Sequence, residues 1–315
     1  MRLCGKERMK VLFISSGRAG RPGDVVKNQG DSLIKSGVDI EYFLIEPGFW
    51  GYLIAIHKLR IKYNVGQYDL VHAHYSLCGF VAGLAGCKPL VVSLMGSDIY
   101  KSGFSRALIR FFIRNKWTET IVKTRQMKEL LGIESVHTIP NGVDIERFRP
   151  ITREIARQHI GYKSDRKLII FIAVKDRSEK NLDLAMDAIR HLDNTIDFKH
   201  IYNEPNPEIP YYLNAADVLL LTSTREGSVN VVKEALACNC PIVSTDVGDV
   251  KWVTEGVEGC FITSFEPEDV AQKIKTALDF GKKTDGRKRI IDLRLDSDNV
   301  ARMIIALYEV LIGEK

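Results

Sequence analysis

The sequence predicts a protein of the α/β class, built as two doubly wound parallel-sheet domains in tandem. Three observations carry this. Short continuous runs rich in Val, Ile and Leu alternate with helix-length amphipathic stretches over most of the 315 residues, the pattern of parallel strands covered by helices on both faces. The alternation breaks once, at Pro140-Asn141-Gly142-Val143-Asp144 and Phe148-Arg149-Pro150, where Asn-Gly and two prolines signal a turn or linker. The charge also changes sign there. Residues 1–149 hold 22 Lys+Arg against 13 Asp+Glu, and residues 150–315 hold 23 against 27. A basic half joined to an acidic half suggests two domains with different partners.

In order along the first domain, taken as 1–149, strand-like runs stand at 11–15, 40–45, 70–73, 90–94, 120–122 and 136–139. The loop after the first carries Gly17, Arg18, Gly20, Arg21 and Gly23, without the spacing of a dinucleotide-binding fingerprint. The third run ends on His72 and His74, and the fourth on Met95-Gly96-Ser97-Asp98. The second domain, taken as 150–297, repeats the rhythm with runs at 168–173, 196–201, 218–222, 242–245 and 261–263, and the tail from 267 to 311 reads as helices alone. In open α/β sheets ligands bind at the carboxyl ends of the strands, so the strand-end residues are the site candidates, and a cleft between two such sheets is the expected active site.

With 45% hydrophobic and 27% charged residues, the composition is that of a globular domain and excludes a disordered chain. No apolar run is long enough to span a bilayer, and the N-terminus lacks the apolar core of a secretory signal, so a cytoplasmic protein is expected. The six cysteines are scattered, and Cys238-Asn239-Cys240 has no second pair or nearby histidine to complete a zinc site; no metal is expected. Basic amphipathic stretches at 50–63 and 104–117, the latter with Arg106, Arg110 and Arg114 beside Phe111, Phe112 and Trp117, suit an anionic membrane surface. They come with no nucleic-acid motif, so no nucleic-acid partner is expected.

The chemistry is concentrated in 223–248. A strand ends near Ser223, a glycine-bearing loop follows with Glu226 and Gly227, and Ser228 is placed to cap a helix over 229–237. A helix N-terminus at a strand's carboxyl edge is an anion site. Asn230 and Glu234 share a helix face, and two ionised carboxylates beside that site suit a polyhydroxylated ligand. The block Glu226-Gly227, six residues, Glu234-Ala235, then Pro241-Ile242-Val243 and Asp246-Val247-Gly248 resembles the donor-site signature of the retaining glycosyltransferases of family four. The resemblance implies a GT-B fold: two facing Rossmann-like domains, with a C-terminal helix, about 298–315, crossing back to the first. It implies transfer of a sugar from a nucleotide-sugar donor, UDP- or GDP-linked, to a glycan or polyprenyl-linked acceptor with retention of configuration, in cell-surface polysaccharide synthesis.

Residue by residue, the resemblance places Glu226 at the transferred sugar, Glu234 on the ribose hydroxyls, and the amides of Gly227, Ser228, Val229 and Asn230 on sugar or phosphate oxygens. Glu179-Lys180 aligns with the family's Glu-Lys, so Lys180 and Lys175, helped by Arg177, would hold the diphosphate without a metal. Asp98 is a catalytic candidate by its strand-end position, and Gly17, Arg18, His72 and His74 are acceptor-side candidates. Met95 stands where the family commonly has a histidine and cannot do acid–base work. Two other readings share the same donor site: a nucleotide-sugar epimerase, which would need no acceptor, and a non-catalytic nucleotide-sugar-binding module, which the Met95 substitution permits.

Overall fold

The computed structural model describes residues 8–18, 20–100, 103–174 and 177–313; Lys175 and the side chain of Arg18 lie outside the described set. The chain divides into two compact units, Met1–Asn141 with Ser297–Lys315, and Gly142–Asp296.

The first unit contains strands β1 (Lys10–Arg18), β2 (Arg21–Pro22), β3 (Asp39–Ile45), β4 (Leu70–His74), β5 (Leu90–Ser93), β6 (Glu119–Val122) and β7 (His137–Thr138). β3, β1, β4, β5, β6 and β7 lie side by side, all parallel. β2 is a two-residue antiparallel return on the end of β1, pairing Gly17 with Pro22. The connections are helices α1 (Asp24–Lys35), α2 (Phe49–Gly66), α3 (Ser76–Ala85), α4 (Gly103–Asn115) and α5 (Arg125–Leu131). β4 and β5 are buried along their whole length, as expected of strands covered on both faces.

The second unit contains β8 (Lys167–Ile172), β9 (Ile196–Ile201), β10 (Val218–Leu221), β11 (Ile242–Thr245) and β12 (Cys260–Thr263), in the order β12-β11-β10-β8-β9, again all parallel. Helices α6 (Arg153–His159), α7 (Leu182–Arg190), α8 (Ile209–Ala215), α9 (Asn230–Ala237), α10 (Val250–Thr254), α11 (Pro267–Phe280) and α12 (Gly286–Asp292) complete it. Each sheet therefore reverses its winding once, between β1 and β4 in the first unit and between β8 and β10 in the second. Ligand crevices of doubly wound sheets open at that reversal.

The last helix, α13 (Ser297–Gly313), returns to the first unit. Val300, Ala301, Ile304, Tyr308 and Leu311 recur at helical spacing and pack with Val11, Phe13 and Leu33. The units part at 141/142 and 296/297, where the sequence suggests 149/150 and 297/298. Residues 142–149 are held by the second unit. Val143 donates its N–H to the Leu295 carbonyl at 2.9 Å, Phe148 is buried in the second core, and Arg287 donates to the carbonyls of Ile145 and Phe148.

Candidate functional site

The reversal between β8 and β10 brings two loops together. The loop after β8 closes in a single 3-10 turn, Ser178–Lys180, and Asn181 then takes a left-handed φ of 53° to enter α7. Three bonds tie this turn to the end of β10. Thr222 Oγ1 donates to the carbonyls of Lys180 and Asn181, and the Thr224 N–H donates to the Glu179 carbonyl at 2.9 Å. The backbone thus fixes where the side chains of Lys180 and Glu226 start. They meet: Lys180 Nζ lies 2.5 Å from Glu226 Oε1, which also accepts Ser223 Oγ–H at 2.9 Å. Both ionised side chains keep partial access to solvent, at 19% and 17%.

Gly248 secures the same loop from the other side. Its φ is +59°, and a Cβ there would stand 2.1 Å from the carbonyl oxygen of Gly227 and 3.3 Å from Glu226 Cβ. The position needs glycine twice over, for the left-handed backbone and for the close approach. Thr245 Oγ1 adds a bond to the Ser223 carbonyl at 2.7 Å. The two ends of the 223–248 block, separate in sequence, are one structure.

The helix start differs from expectation. α9 begins at Asn230, Val229 is its N-cap residue, and no side chain caps it locally. Ser228 donates its hydroxyl to Asp249 Oδ2 at 2.8 Å instead of turning back on the helix. Val229, expected among the donor-binding amides, gives its N–H to Asp249 Oδ1 at 2.8 Å and so serves the loop rather than a ligand. Lys233, one turn into α9, reaches the same carboxylate at 2.8 Å. Asp249, Lys233 and Ser223 were missed in the sequence. The signal for Lys233 was present: it is a lysine set among Val231, Val232, Ala235 and Leu236 in a helix that covers a buried sheet.

Of the other expected donor-side residues, Gly227 is buried and Ser228, Asn230 and Glu234 are half-buried at the start of α9. Arg177 does not meet Lys180's partner. It pairs with Glu179, to which its Nε donates at 2.6 Å, and its side chain is half exposed. A main-chain amide and this guanidinium hold the Glu179 carboxyl below its usual range. Lys175 falls outside the described residues.

In the first unit the candidates sit where the same topological rule puts them, at the ends of β1, β4 and β5. Gly17 ends β1 at its turn into β2, and the backbone of Arg18 follows it. Asp98 is almost fully buried, at 2% exposure. Its carboxylate accepts N–H groups from Ser76 (3.1 Å), Met95 (3.1 Å) and Gly96 (3.0 Å). Burial raises its pKa, and those amides act against the rise. Its geometry is that of a loop organiser: it joins the start of α3 to the turn after β5, where Gly96 has a φ of +110°.

His72 and His74 are fully buried. His72 Nδ1 contacts the Tyr308 hydroxyl of α13, and Nε2 is 2.8 Å from Ser93 Oγ. His74 stacks on His72 with ring centroids 4.4 Å apart and leans on Phe13 at 4.6 Å. Burial, with the buried Lys123 nearby, drives the His74 pKa down to about 3 and that of His72 well below its usual value. Both are neutral packing groups at physiological pH.

Two doubly wound parallel-sheet units in tandem, the first of which takes back the C-terminal helix, are the GT-B class of fold. Comparison with known proteins agrees. Residues 5–147 match the model of "Glycosyltransferase Family 4", and residues 178–279 match "Glycosyl transferases group 1". The chain belongs to glycosyltransferase family four. Among curated relatives, TuaC of Bacillus subtilis, a glycosyltransferase named for teichuronic acid biosynthesis, is 28% identical over 211 residues, covering 58% of this chain and 54% of its own. D-inositol 3-phosphate glycosyltransferase 1 of Catenulispora acidiphila is 26% identical over 270 residues, covering 68% and 65%. The matched stretch thus spans between half and two thirds of those relatives' lengths. Among solved structures, sucrose-phosphate synthase from Thermosynechococcus elongatus superposes with a TM-score of 0.84 at 16% identity, over 98% of this chain and 100% of that one. HepE from Anabaena, solved with UDP-glucose, does so with a TM-score of 0.80 at 17% identity, over 96% and 100%. These two likenesses concern the fold.

Proposed function

We propose that the protein transfers a sugar from a UDP- or GDP-linked donor to a glycan or polyprenyl-linked acceptor, with retention of anomeric configuration, in cell-surface polysaccharide synthesis. The observation that carries this reading is the meeting of Lys180 and Glu226 at the β8/β10 reversal, 2.5 Å apart and partly open to solvent. An arriving diphosphate would draw Lys180 to its own charge and release Glu226 to accept the sugar's hydroxyls. The acceptor hydroxyl oxygen would then attack the anomeric carbon on the face that the diphosphate leaves. The carbon–oxygen bond to phosphate breaks, the bonding pair goes to the diphosphate, and the acceptor's proton goes to a phosphate oxygen. Lys180, with Lys175 and the N-terminus of α9, would stabilise the leaving charge without a metal. Glu234 would take the ribose hydroxyls.

Incubation with a panel of nucleotide sugars and a polyprenyl-diphosphate-linked glycan tests this. The expected result is release of nucleoside diphosphate that requires acceptor, insensitivity to EDTA, and a product whose anomeric configuration matches the donor's. Conversion of the donor without acceptor would instead support an epimerase. Binding with no turnover would support a sugar-nucleotide-binding module.

Peripheral contact with an anionic bilayer on the cytoplasmic side belongs to the same proposal. Phe49 and Trp50 at the start of α2 are 71% and 73% exposed, and Phe104 on α4 is 81% exposed. On α2, Arg60 donates to the carbonyls of Leu84 and Ala85 and Lys62 pairs with Glu41, so these two side chains are held by the protein itself. Arg110 is not one of the contacts, because its guanidinium donates to the carbonyls of Leu130 and Leu131 at the end of α5. Among the described residues no helix is long and apolar enough to cross a membrane. The described cysteines are free thiols, as a reducing compartment would keep them. Replacing Phe49 and Trp50 by Ala should weaken sedimentation with phosphatidylglycerol vesicles by roughly tenfold or more; unchanged sedimentation would remove the membrane part of the proposal.

A further inference from the structure

We infer that Lys233 and Asp249 are positioning residues that hold the 226–230 loop in its ligand-accepting shape; the inference rests on the donor-site reading above. Their side chains are 1% and 3% exposed and form an ion pair of 2.8 Å. The Asp249 carboxylate bonds to this loop and its helix: it accepts Ser228 Oγ–H and Lys233 on Oδ2 and the Val229 N–H on Oδ1. Lys233 Nζ in turn contacts Ser228 Oγ. Asp249 is also the N-cap residue of α10, yet its side chain makes no cap bond there; it turns towards α9 instead.

Stability alone is a poor reason for such a pair. Taking two charges out of water costs several kcal/mol each, and well-packed apolar replacements of a buried pair are often neutral or stabilising. What the pair adds is direction. It fixes Ser228 and Val229 between Glu226, which meets Lys180, and Asn230, where α9 begins. Gly248, adjacent to Asp249, presses on the Gly227 carbonyl, so one short segment, 248–249, clamps three consecutive loop residues. A loop fixed before the ligand arrives does not lose conformational freedom on binding.

The test uses the full-length chain. Lys233→Met with Asp249→Leu removes both charges and keeps bulk. The double variant is expected to unfold within a few degrees of the wild type while its KM for the donor nucleotide sugar and its Kd for the nucleoside diphosphate each rise about tenfold or more. Unchanged KM and Kd in the folded double variant would overturn the inference. If that variant does not fold, Asp249→Asn read by amide hydrogen exchange decides. Faster exchange confined to 227–230, at least tenfold, supports positioning. Protection at those amides equal to wild type, or lost evenly across the second unit, contradicts it. Wild-type protein that binds no nucleoside diphosphate would strike the donor-site reading itself, a different outcome from a wild type that binds and a variant that binds equally well.

Discussion

The strand ends of the two sheets solve the problem of polar side chains in opposite ways. In the second unit the groups are charged and paired with opposite charges: Lys180 with Glu226, and Lys233 with Asp249. In the first unit the histidine and aspartate candidates are neutral or held by main-chain amides, with the buried Lys123 after β6 as their charged neighbour. His72 and His74 stack, buried and uncharged, beneath α13, and Asp98 binds the amides of Ser76, Met95 and Gly96. The distinction bears on function. A partly open ion pair can exchange one partner for an incoming phosphate: Lys180 would still face an anion, and Glu226 would keep the Ser223 hydroxyl and gain sugar hydroxyls. A carboxylate bound to three amides, two of them buried, cannot let go without leaving those unsatisfied. The pair in the second unit suits an incoming anion, as the proposed function requires, whereas His72, His74 and Asp98 of the first are committed to packing and loop bonds.

Four substitutions or conditions would break or sharpen that contrast. The largest effect is expected at Lys180: Lys180→Ala should lower turnover by roughly 10²–10³-fold, the scale for losing one preorganised charge stabiliser, and steady-state kinetics showing a loss below threefold would refute its role. Next comes Asp98→Ala, which should lower the unfolding free energy by about 3 kcal/mol, since it orphans three amides, two of them buried. A denaturant midpoint close to wild type would show that Asp98 is not an organiser of its loop. Gly248→Ala should raise the donor KM by about tenfold, because the new Cβ must push the Glu226–Gly227 backbone aside and the residue must hold a left-handed φ. Wild-type kinetics would mean that the loop is free to shift.

The smallest effect is a pH dependence. His74 has a folded pKa of about 3 against an ordinary value of 6.5. Below pH 6.5 the unfolded chain binds a proton that the folded chain refuses, so its contribution is complete above that pH and is lost as pH falls towards 3. By pH 5.5 the loss is about 1 kcal/mol, and His72, whose pKa is also lowered by burial, acts in the same direction. Denaturant titrations at several pH values should show His74→Phe losing less stability on acidification than wild type; parallel curves would mean that His74 is not the group responsible.

Much of the fold was legible because doubly wound sheets announce themselves. Strands such as 242–245 and 218–221 are continuous apolar or β-branched runs between helical stretches, buried along their length, and burial on both faces demands that composition. The return of α13 to the first unit rested on the family resemblance, and its apolar stripe is what makes the packing possible. The sequence singles out Glu226, Lys180 and Gly248, and the structure brings the first two together and packs the third against their loop. The loop was misread at Ser228 and Val229, because Ser before a helix is usually its cap. The true partner, Asp249, lies 21 residues from Ser228, and no local rule reaches that far. The two histidines illustrate the same limit. A strand-end position suggests a site, and only the packing of Phe13, Tyr308 and Ser93 around them reveals buried, uncharged rings.

Amide hydrogen exchange with and without saturating UDP- and GDP-sugars tests most directly whether 178–181 and 223–248 form one nucleotide-sugar site. One of these donors should slow exchange at 178–181 and 226–230 in the wild-type chain, and Lys180→Ala should abolish this protection at the same donor concentration. Protection confined to other segments, or persisting unchanged in Lys180→Ala, would contradict a single site there.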